Sequence, residues 1–330
     1  MALRILFMGT PPFAVPSLER LSDAGHALLV VTQPARPAGR GLEPRPSAVR
    51  VAAEARGLSV LERASLRDAG SREPLAAFRP DLVVVVAFGL ILRRSILALP
   101  DLMPINLHPS RLPELRGVAP IPWTVWSGAG ETAVTTIRMD SGVDTGDLLL
   151  QEPVPVGARV TAGELTAQLA TRGADLLVRT VRGVSQGAVT PRPQPAAGAT
   201  YAPRLVKAHG HLDWSRPAVE LDRQVRATTP WPRARARLGE HPVTVVEARP
   251  ATDGGAETGP PGSIVECAPE RLVVATGAGA LELVTVQPAG KPVMSGAAFA
   301  RGRRLGAGDR FESLPVPPDL EWPRPVGGAR

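Results

Sequence analysis

The 330-residue sequence is poor in cysteine, lysine and aromatic side chains. The single cysteine, Cys267, excludes an intramolecular disulfide and a cysteine-rich zinc site, and we interpret it as a small apolar strand residue. The longest apolar run, residues 82–92, is well short of the roughly 18 residues that a membrane span needs. The apolar run near the N-terminus is too short for a signal peptide. We therefore expect a cytoplasmic protein with no membrane partner.

The basic charge comes almost entirely from arginine, because Lys207 and Lys291 are the only lysines. The formal net charge is +7, which suits a partner that carries phosphates. The excess is spread evenly along the chain, so a general preference for arginine explains it as well as nucleic-acid binding does. Local clusters of arginine must decide between the two explanations.

Short apolar segments alternate with helical patterns in the first half of the chain. Three runs without polar alternation are typical of parallel strands covered on both faces: residues 4–8, 27–31 and 81–88. A long helix is predicted over residues 161–183, opened by a capping box of Thr161 and Glu164. This order predicts a catalytic domain over residues 1–185 with a doubly wound, mostly parallel α/β sheet.

The second half has a different organisation. Residues 186–203 lose all periodicity and contain several Pro and Gly, which predicts a linker. Residues 204–330 hold one helical pattern at 218–228, followed by short strand patterns separated by turns. Spacing of this kind predicts a second domain built as a small antiparallel barrel or sandwich.

The first strand is not followed by a dinucleotide-binding loop. Residues 8–14, MGTPPFA, contain one Gly and two Pro where a Rossmann turn has GxGxxG. Pro11 and Pro12 lack the backbone N–H groups that bind phosphate in such a loop. An NAD-linked oxidoreductase is therefore disfavoured.

Two polar residues lie close together in the segment INLHPS, residues 105–110. Side chains alternate along an extended segment, so Asn106 and His108 share one face of the strand. Open α/β sheets bind ligands at the ends of their strands, and an amide beside an imidazole suits stabilisation of an oxyanion. An Asn and a His that merely cap the following loop would give the same pattern.

Three aspartates occupy a glycine-rich loop after a later strand: Asp140, Asp144 and Asp147. If the two strands are parallel, this loop ends at the same carboxyl edge as His108. A carboxylate beside an imidazole can orient it, hold its charge, or accept a proton from a nucleophile. A turn with Asx hydrogen bonds is the better explanation for Asp140 and for Asp147. A metal site is disfavoured because few histidines and no cysteine are nearby.

These segments resemble the methionyl-tRNA formyltransferase family over nearly the whole chain. The resemblance is carried by MGTPPFAVPSLERL, ARPAGRG, AFGLIL, INLHPSRLPELRGVAPI, MDSGVDTGDLL, TYAPRLVK, PWP and LVTVQPAGKPVMSGAAFARG. It implies a Rossmann-like formyltransferase domain followed by an OB-like barrel that holds tRNA. It also implies transfer of a formyl group from 10-formyltetrahydrofolate to the α-amine of initiator methionyl-tRNA. We expect a monomer that needs no metal.

The resemblance assigns Asn106, His108 and Asp144 as the catalytic residues. The amide and the imidazole would stabilise the oxyanion, and Asp144 would help to remove the proton from the ammonium. The resemblance further assigns contact with the folate co-substrate to Ser110, Arg111, Leu112, Pro113, Phe88, Gly89, Leu90, Leu92 and Asp140. The family usually has Leu where this chain has Arg111.

Two arginine clusters and one further patch are candidates for tRNA contact. Residues 33–46 are long for a connection between a strand and a helix and carry Arg36, Arg40 and Arg45; the resemblance places Arg40 near the aminoacylated end. In the second domain, Arg233, Arg235 and Arg237 would share one side of a strand. Arg301, Arg303 and Arg304 form a further candidate patch. A solvated surface explains each cluster equally well in isolation.

Two other functions remain open at this point. A formyltransferase acting on an amino-sugar nucleotide would share the Asn, His and Asp but would not need the arginines of the second domain. An RNA-binding protein of the OB type, without enzymatic activity, would need those arginines but not the three site residues together.

Overall fold

The first domain is an α/β structure. The computed structural model describes residues 2–38, 43–251, 259–314 and 324–325. The strands of this first part are β1 (Arg4–Gly9), β2 (Ala27–Thr32), β3 (Arg36–Ala38), β4 (Glu43–Arg45), β5 (Ser59–Glu62), β6 (Leu82–Val86), β7 (Met103–His108), β8 (Arg116–Gly117), β9 (Glu131–Arg138) and β10 (Asp147–Pro155). The helices are α1 (Val15–Asp23), α2 (Ala48–Ala55), α3 (Ala69–Ala77), α4 (Arg94–Leu97), α5 (Pro120–Ser127) and α6 (Ala162–Ser185), with a 3-10 turn at Pro12–Ala14.

Seven of these strands form one sheet in the order β10-β9-β7-β6-β1-β2-β5. The strands from β7 to β5 are parallel, whereas β9 and β10 are antiparallel to their neighbours. Along β1, Ile5 and Phe7 enter one apolar core, while Leu6 and Met8 enter another on the opposite face. Both faces are covered, so the strand has no polar alternation, and the predicted doubly wound α/β fold is confirmed.

The longest helix of this domain, α6, begins as its sequence predicts. Thr161 accepts a hydrogen bond from the backbone N–H of Glu164, and Glu164 accepts one from the backbone N–H of Thr161 at 2.9 Å. This second bond, with help from the Thr161 hydroxyl, lowers the pKa of the Glu164 carboxyl. The capping box is therefore confirmed, and the helix runs two residues beyond its predicted end.

The remaining elements lie in the predicted linker and in the second domain. The linker holds β11 (Thr200–Ala202), and the strands after it are β12 (Ala234–Leu238), β13 (His241–Pro250), β14 (Ile264–Cys267), β15 (Leu272–Ala275), β16 (Ala280–Pro288), β17 (Met294–Ser295) and β18 (Arg324–Pro325). The helices are α7 (Ala218–Ala227) and α8 (Gly296–Arg303), with a 3-10 turn at Lys207–Gly210. Strands β12-β13-β16-β15-β14 form an antiparallel sheet, and β17 pairs with β16.

A short segment after α8 closes this sheet into a barrel. Glu312 pairs with Arg237 on the edge strand β12, and Arg310 pairs with Ser263 beside the other edge strand, β14. One segment thus joins both edges of the sheet around a core that includes Trp214, Phe299 and Phe311. The predicted small antiparallel barrel is confirmed.

The predicted linker is packed against the first domain. Arg192 exchanges two backbone hydrogen bonds with Leu148, of 2.7 and 2.9 Å, and β11 pairs with β8. The prolines and glycines of this segment interrupt the helical and strand periodicity of its sequence, but they do not prevent backbone pairing. The boundaries at residues 1–185, 186–203 and 204–330 remain a proposal.

A buried carboxylate joins the two domains. Asp222 of α7 accepts hydrogen bonds from Arg159 at 2.6 Å and from Arg226 at 3.0 Å, and its side chain is 6% exposed. Arg159 also donates to the carbonyl of Ala248, and Arg226 donates to that of Val160. These bonds tie the chain just before α6 to the second domain.

Replacing Asp222 by alanine is expected to lower the free energy of unfolding by about 3 kcal/mol, because Arg226 would be left buried without its carboxylate. Urea titration followed by circular dichroism measures the change. The matched control is Glu220→Ala on the same helix; this exposed residue pairs with Arg216 at 3.7 Å, and its loss is expected to cost less than about 1 kcal/mol. Equal losses of unfolding free energy in the two variants would contradict the stabilising role of the buried Asp222 carboxylate.

Candidate active site

Strand β7 carries the two polar residues that the sequence predicts to share a face. Ile105 and Leu107 enter the apolar core, while Asn106 and His108 are 9% and 4% exposed. Nε2 of His108 lies 2.9 Å from the carbonyl of Leu115. Since that nitrogen is engaged, Nδ1 is the ring nitrogen left for a carboxylate or a substrate.

Asp144 approaches both side chains. Its Oδ1 accepts a weak hydrogen bond from the Asn106 amide at 3.4 Å, and its Oδ2 lies 3.6 Å from Nδ1 of His108. The same Oδ2 accepts a shorter hydrogen bond, 2.8 Å, from the backbone N–H of Gly117. The structure therefore brings an amide, an imidazole and a carboxylate into one cluster.

The route by which Asp144 reaches His108 differs from the expected one. The loop follows β9, which is antiparallel to β7, and it starts beside Pro104, whose carbonyl accepts the N–H of Met139 at 2.9 Å. The expectation that two parallel strands deliver both groups to one carboxyl edge is thus wrong. The loop instead leads back from the start of β7 to the end of that strand.

The other two aspartates of this loop have local partners. Asp140 accepts hydrogen bonds from the N–H of Gly142 and the hydroxyl of Thr145, which forms an Asx turn. Asp147 pairs with Arg138 at 2.6 Å. Of the three, only Asp144 is hydrogen-bonded to Asn106 within the described residues.

The three clustered side chains line a cavity of about 770 Å³. That volume and its mostly apolar lining, with a few polar groups, suit an organic ligand of drug size. The lining comes from Pro11, Phe13, Val85, residues 87–92, residues 106–109, residues 117–122, Ile137, residues 139–144, Thr166, Tyr201 and Arg204.

The loop after β6 forms part of the lining and contains the first group of residues predicted to contact folate. Phe88, Gly89, Leu90 and Leu92 all line the cavity, as does Asp140. The carbonyl of Phe88 accepts the side-chain amide of Gln33 at 2.7 Å and the hydroxyl of Thr10 at 3.0 Å.

Gly89 and Gln33 fit closely in this loop. Gly89 has a φ of +81°, and a Cβ atom there would lie 2.6 Å from Nε2 of Gln33. The loop is thus held by a buried glutamine that sequence reasoning missed, because nothing in the pattern of residues 33–46 marks Gln33 as turned inward.

The second group of predicted folate residues lies elsewhere. Ser110, Arg111, Leu112 and Pro113 are absent from the cavity lining in the described part of the chain. Ser110 is fully buried, and its hydroxyl donates to the carbonyl of Glu114 at 2.6 Å. Arg111 pairs with Glu131. The side chains of Ser110 and Arg111 thus bond within the protein, and contact of the four residues with folate stays a prediction.

Sequence reasoning also missed three residues near the cluster. Gly117 supplies a backbone donor to Asp144, while Tyr201 and Arg204 line the cavity. The latter two lie at the end of the predicted linker or just beyond it. The pairing of β11 with β8 and the hydrogen bonds from Val118 and Ala119 to Ala202 bring them to the cavity, and no local sequence pattern predicts these contacts.

The predicted tRNA residues lie on two exposed surfaces. Arg36 and Arg45 face each other across a hairpin formed by β3 and β4, so the supposed connection is partly a β-ribbon. Arg40 lies outside the described residues. Arg235 and Arg237 are exposed and alternate with buried neighbours along β12, so these two share one side of the strand. Arg233 is also exposed, but it precedes the strand and has a φ of +70°.

These arginines differ in how far they are already paired. Arg237 forms an ion pair with Glu312, and Arg233 donates to the side chain of Gln287 at 3.0 Å. In the further patch, Arg301 donates to the carbonyl of Pro269, and Arg303 contacts His241. The cation of Arg237 is therefore partly neutralised.

The fold and this cluster define a formyl transferase. The formyl transferase family model matches residues 3–181, and the model of the formyl transferase C-terminal domain matches residues 204–304. The methionyl-tRNA formyltransferase of Roseiflexus sp. (strain RS-1) is 45% identical over 94% of this chain and 96% of its own length. That of Pseudomonas paraeruginosa is 46% identical over 88% and 93%. The chain belongs to the methionyl-tRNA formyltransferase family.

The solved structures agree on the fold. An N-formyltransferase from Helicobacter canadensis, in complex with folinic acid and dTDP-3-aminofucose, superposes with a TM-score of 0.64. The match covers 86% of this chain and 99% of that chain at 16% identity. At this identity the likeness bears on the architecture alone. Among the described residues, no helix is both long and apolar enough to cross a membrane.

Proposed function

We propose that this protein transfers the formyl group of 10-formyltetrahydrofolate to the α-amine of methionine on initiator methionyl-tRNA. The observation that carries the proposal is the cluster of Asn106, His108 and Asp144 on the wall of a cavity that can take an organic co-substrate. The identity of 41–46% to methionyl-tRNA formyltransferases over most of the chain supports this acceptor. The chain acts in the cytoplasm and as a monomer.

In the proposed mechanism the amine nitrogen attacks the formyl carbon, a new C–N bond forms, and the carbonyl oxygen becomes an oxyanion. The Asn106 amide and a ring N–H of His108 donate hydrogen bonds to that oxyanion. Before this attack, Asp144 accepts the proton that the substrate ammonium must lose, directly or through water. After it, the adduct nitrogen loses a second proton, the bond from the formyl carbon to N10 of the folate breaks, and N10 takes up a proton.

The binding of the co-substrate depends mainly on the loop that Gln33 holds. Phe88, Leu90 and Leu92 offer apolar surface to the cavity, and Gly89 lets the backbone turn there. Ser110 to Pro113 support the neighbouring loop from outside the cavity lining. Arg36 and Arg45 on the hairpin, together with Arg40, Arg233, Arg235 and Arg237, contact tRNA phosphates.

A direct comparison of acceptors tests the proposal. Purified protein is supplied with 10-formyltetrahydrofolate and, in parallel, with charged initiator tRNA, charged elongator methionyl-tRNA and a UDP-amino-sugar. Formylation of the initiator tRNA with the highest kcat/KM is expected. Preferential formylation of the sugar would show that the acceptor is an amino-sugar rather than tRNA. No transfer to any of the three would overturn the proposed formyltransferase activity.

Replacing Arg233, Arg235 and Arg237 together by alanine is expected to weaken tRNA binding and to reduce the slope of log K against log salt by about 2. The reduction in slope should be smaller than the loss of three unpaired arginines would cause, because Arg237 already pairs with Glu312. Filter binding at several salt concentrations measures it. The control is Arg172→Ala on α6, outside both clusters. A slope equal to that of the parent would remove this surface from the interface.

A further inference from the structure

The segment between the two domains carries a glutamine whose side chain is bonded to the loop of Asp144. Nε2 of Gln194 donates to the carbonyls of Asp144 and Gly146, each at 2.8 Å. Its Oε1 accepts from Arg116, at 2.7 Å from Nη2 and 3.2 Å from Nε. The amide thus uses both of its N–H groups and its oxygen.

The backbone of this loop needs such support. Asp144 has a φ of +53°, a left-handed conformation that is sparsely populated for a residue with a Cβ atom. In this conformation its carboxylate reaches the N–H of Gly117 and lies beside His108. Because a carboxyl group moves with its own backbone, a hold on the two carbonyls is also a hold on the position of the carboxylate.

Gln194 is itself fixed by pairing on both sides along the chain. Before it, Arg192 exchanges two backbone hydrogen bonds with Leu148. After it, the carbonyl of Ala202 accepts the N–H groups of Val118 and Ala119, at 3.0 and 3.2 Å. The amide of Gln194 is therefore presented from a segment that is anchored to the first domain.

We propose that Gln194 is a positioning residue for formyl transfer, which acts by holding the carboxylate of Asp144 against His108. Within the described ranges Gln194 is not part of the cavity lining, so its effect passes through Asp144 rather than through contact with substrate. The proposal rests on the proposed function, and it makes the interdomain segment part of the catalytic apparatus.

The first test uses Gln194→Glu, which keeps the size of the side chain and its acceptor for Arg116 but lacks both N–H donors. The kcat is expected to fall about tenfold or more, with the KM of each substrate within about twofold, because a displaced group slows the chemical step. Gln194→Ala should give a similar loss. Gln186→Ala, an exposed glutamine of the same segment, is the control and should match the parent.

The second test repeats the change in the background of Asp144→Asn. If Gln194 acts through Asp144, its replacement should then alter kcat by less than about twofold, because coupled residues are not additive. A tenfold loss in that background as well, or a kcat equal to that of the parent in the single variant, would overturn the proposal.

A third measurement does not depend on turnover. Hydrogen exchange of the amides at residues 140–146 should be faster in Gln194→Glu than in the parent, and faster there than in the rest of the chain. Unchanged exchange rates would contradict the proposal that Gln194 holds this loop, even if the kcat of the variant is lower. A parent protein that transfers no formyl group would instead overturn the proposed function, so the two failures remain distinct.

Discussion

Replacing His108 by alanine is expected to lower the kcat of formyl transfer about a thousandfold, because one donor to the developing oxyanion is removed from a buried site. His108 is 4% exposed and its Nε2 lies 2.9 Å from the carbonyl of Leu115, so the ring is held in a buried position. Single-turnover rates with saturating tRNA measure the chemical step. The affinity for tRNA should stay within a few-fold, since the arginine surfaces are untouched.

The control for this prediction is His241→Ala, which removes an exposed histidine of the barrel. Its kcat at saturating tRNA should match that of the parent. Thermal unfolding of both variants shows whether the fold is intact. A His108→Ala protein that folds and retains the turnover of the parent would end the assignment of His108 to catalysis.

Replacing Asp144 by asparagine is expected to lower kcat about a hundredfold near neutral pH, because the amide cannot accept the proton that the methionine ammonium must lose before its nitrogen can attack. The deficit should shrink as pH rises. An α-amino group titrates at about 8, so at higher pH more of the substrate already carries a free amine, and this first deprotonation needs no acceptor. The ratio of parent to variant rates across pH measures this effect.

Asp147→Asn is the matched control, since this aspartate of the same loop pairs with Arg138. Its rate should remain within a few-fold of the parent at every pH. A deficit in Asp144→Asn that stays constant with pH would argue against proton acceptance and in favour of a purely electrostatic role.

Much of the fold could be predicted from the sequence because its signals are local. The uninterrupted apolar run of β6 requires burial on both faces, and the capping box of Thr161 and Glu164 marks the start of α6. The alternation of side chains along β7 likewise placed Asn106 and His108 on one face. Each of these predictions depends on residues that are neighbours in sequence.

The parts that could not be predicted depend on pairing between distant segments. The direction of β9 relative to β7 depends on how the two strands pair rather than on the residues of β9 alone. The path of the Asp144 loop could therefore not be predicted from its sequence. The irregular composition of residues 186–203 concealed backbone bonds to Leu148 and the amide of Gln194. The inward turn of Gln33 and the outward placement of Arg111 are decided by tertiary packing in the same way.

The closure of the barrel has a consequence for how the protein is made. The segment around Phe311 pairs with Arg237 near the end of β12 and with Ser263 beside β14, and it leaves the ribosome after every other element of the described barrel. Until then the edge beside β14 and the end of β12 lack these partners, although Arg235 of β12 already pairs with His211, and unpaired backbone groups are templates for pairing with other chains. The first domain, by contrast, has its whole central sheet available by residue 155. The last short segment of the barrel therefore protects the newly made chain from aggregation as soon as it docks.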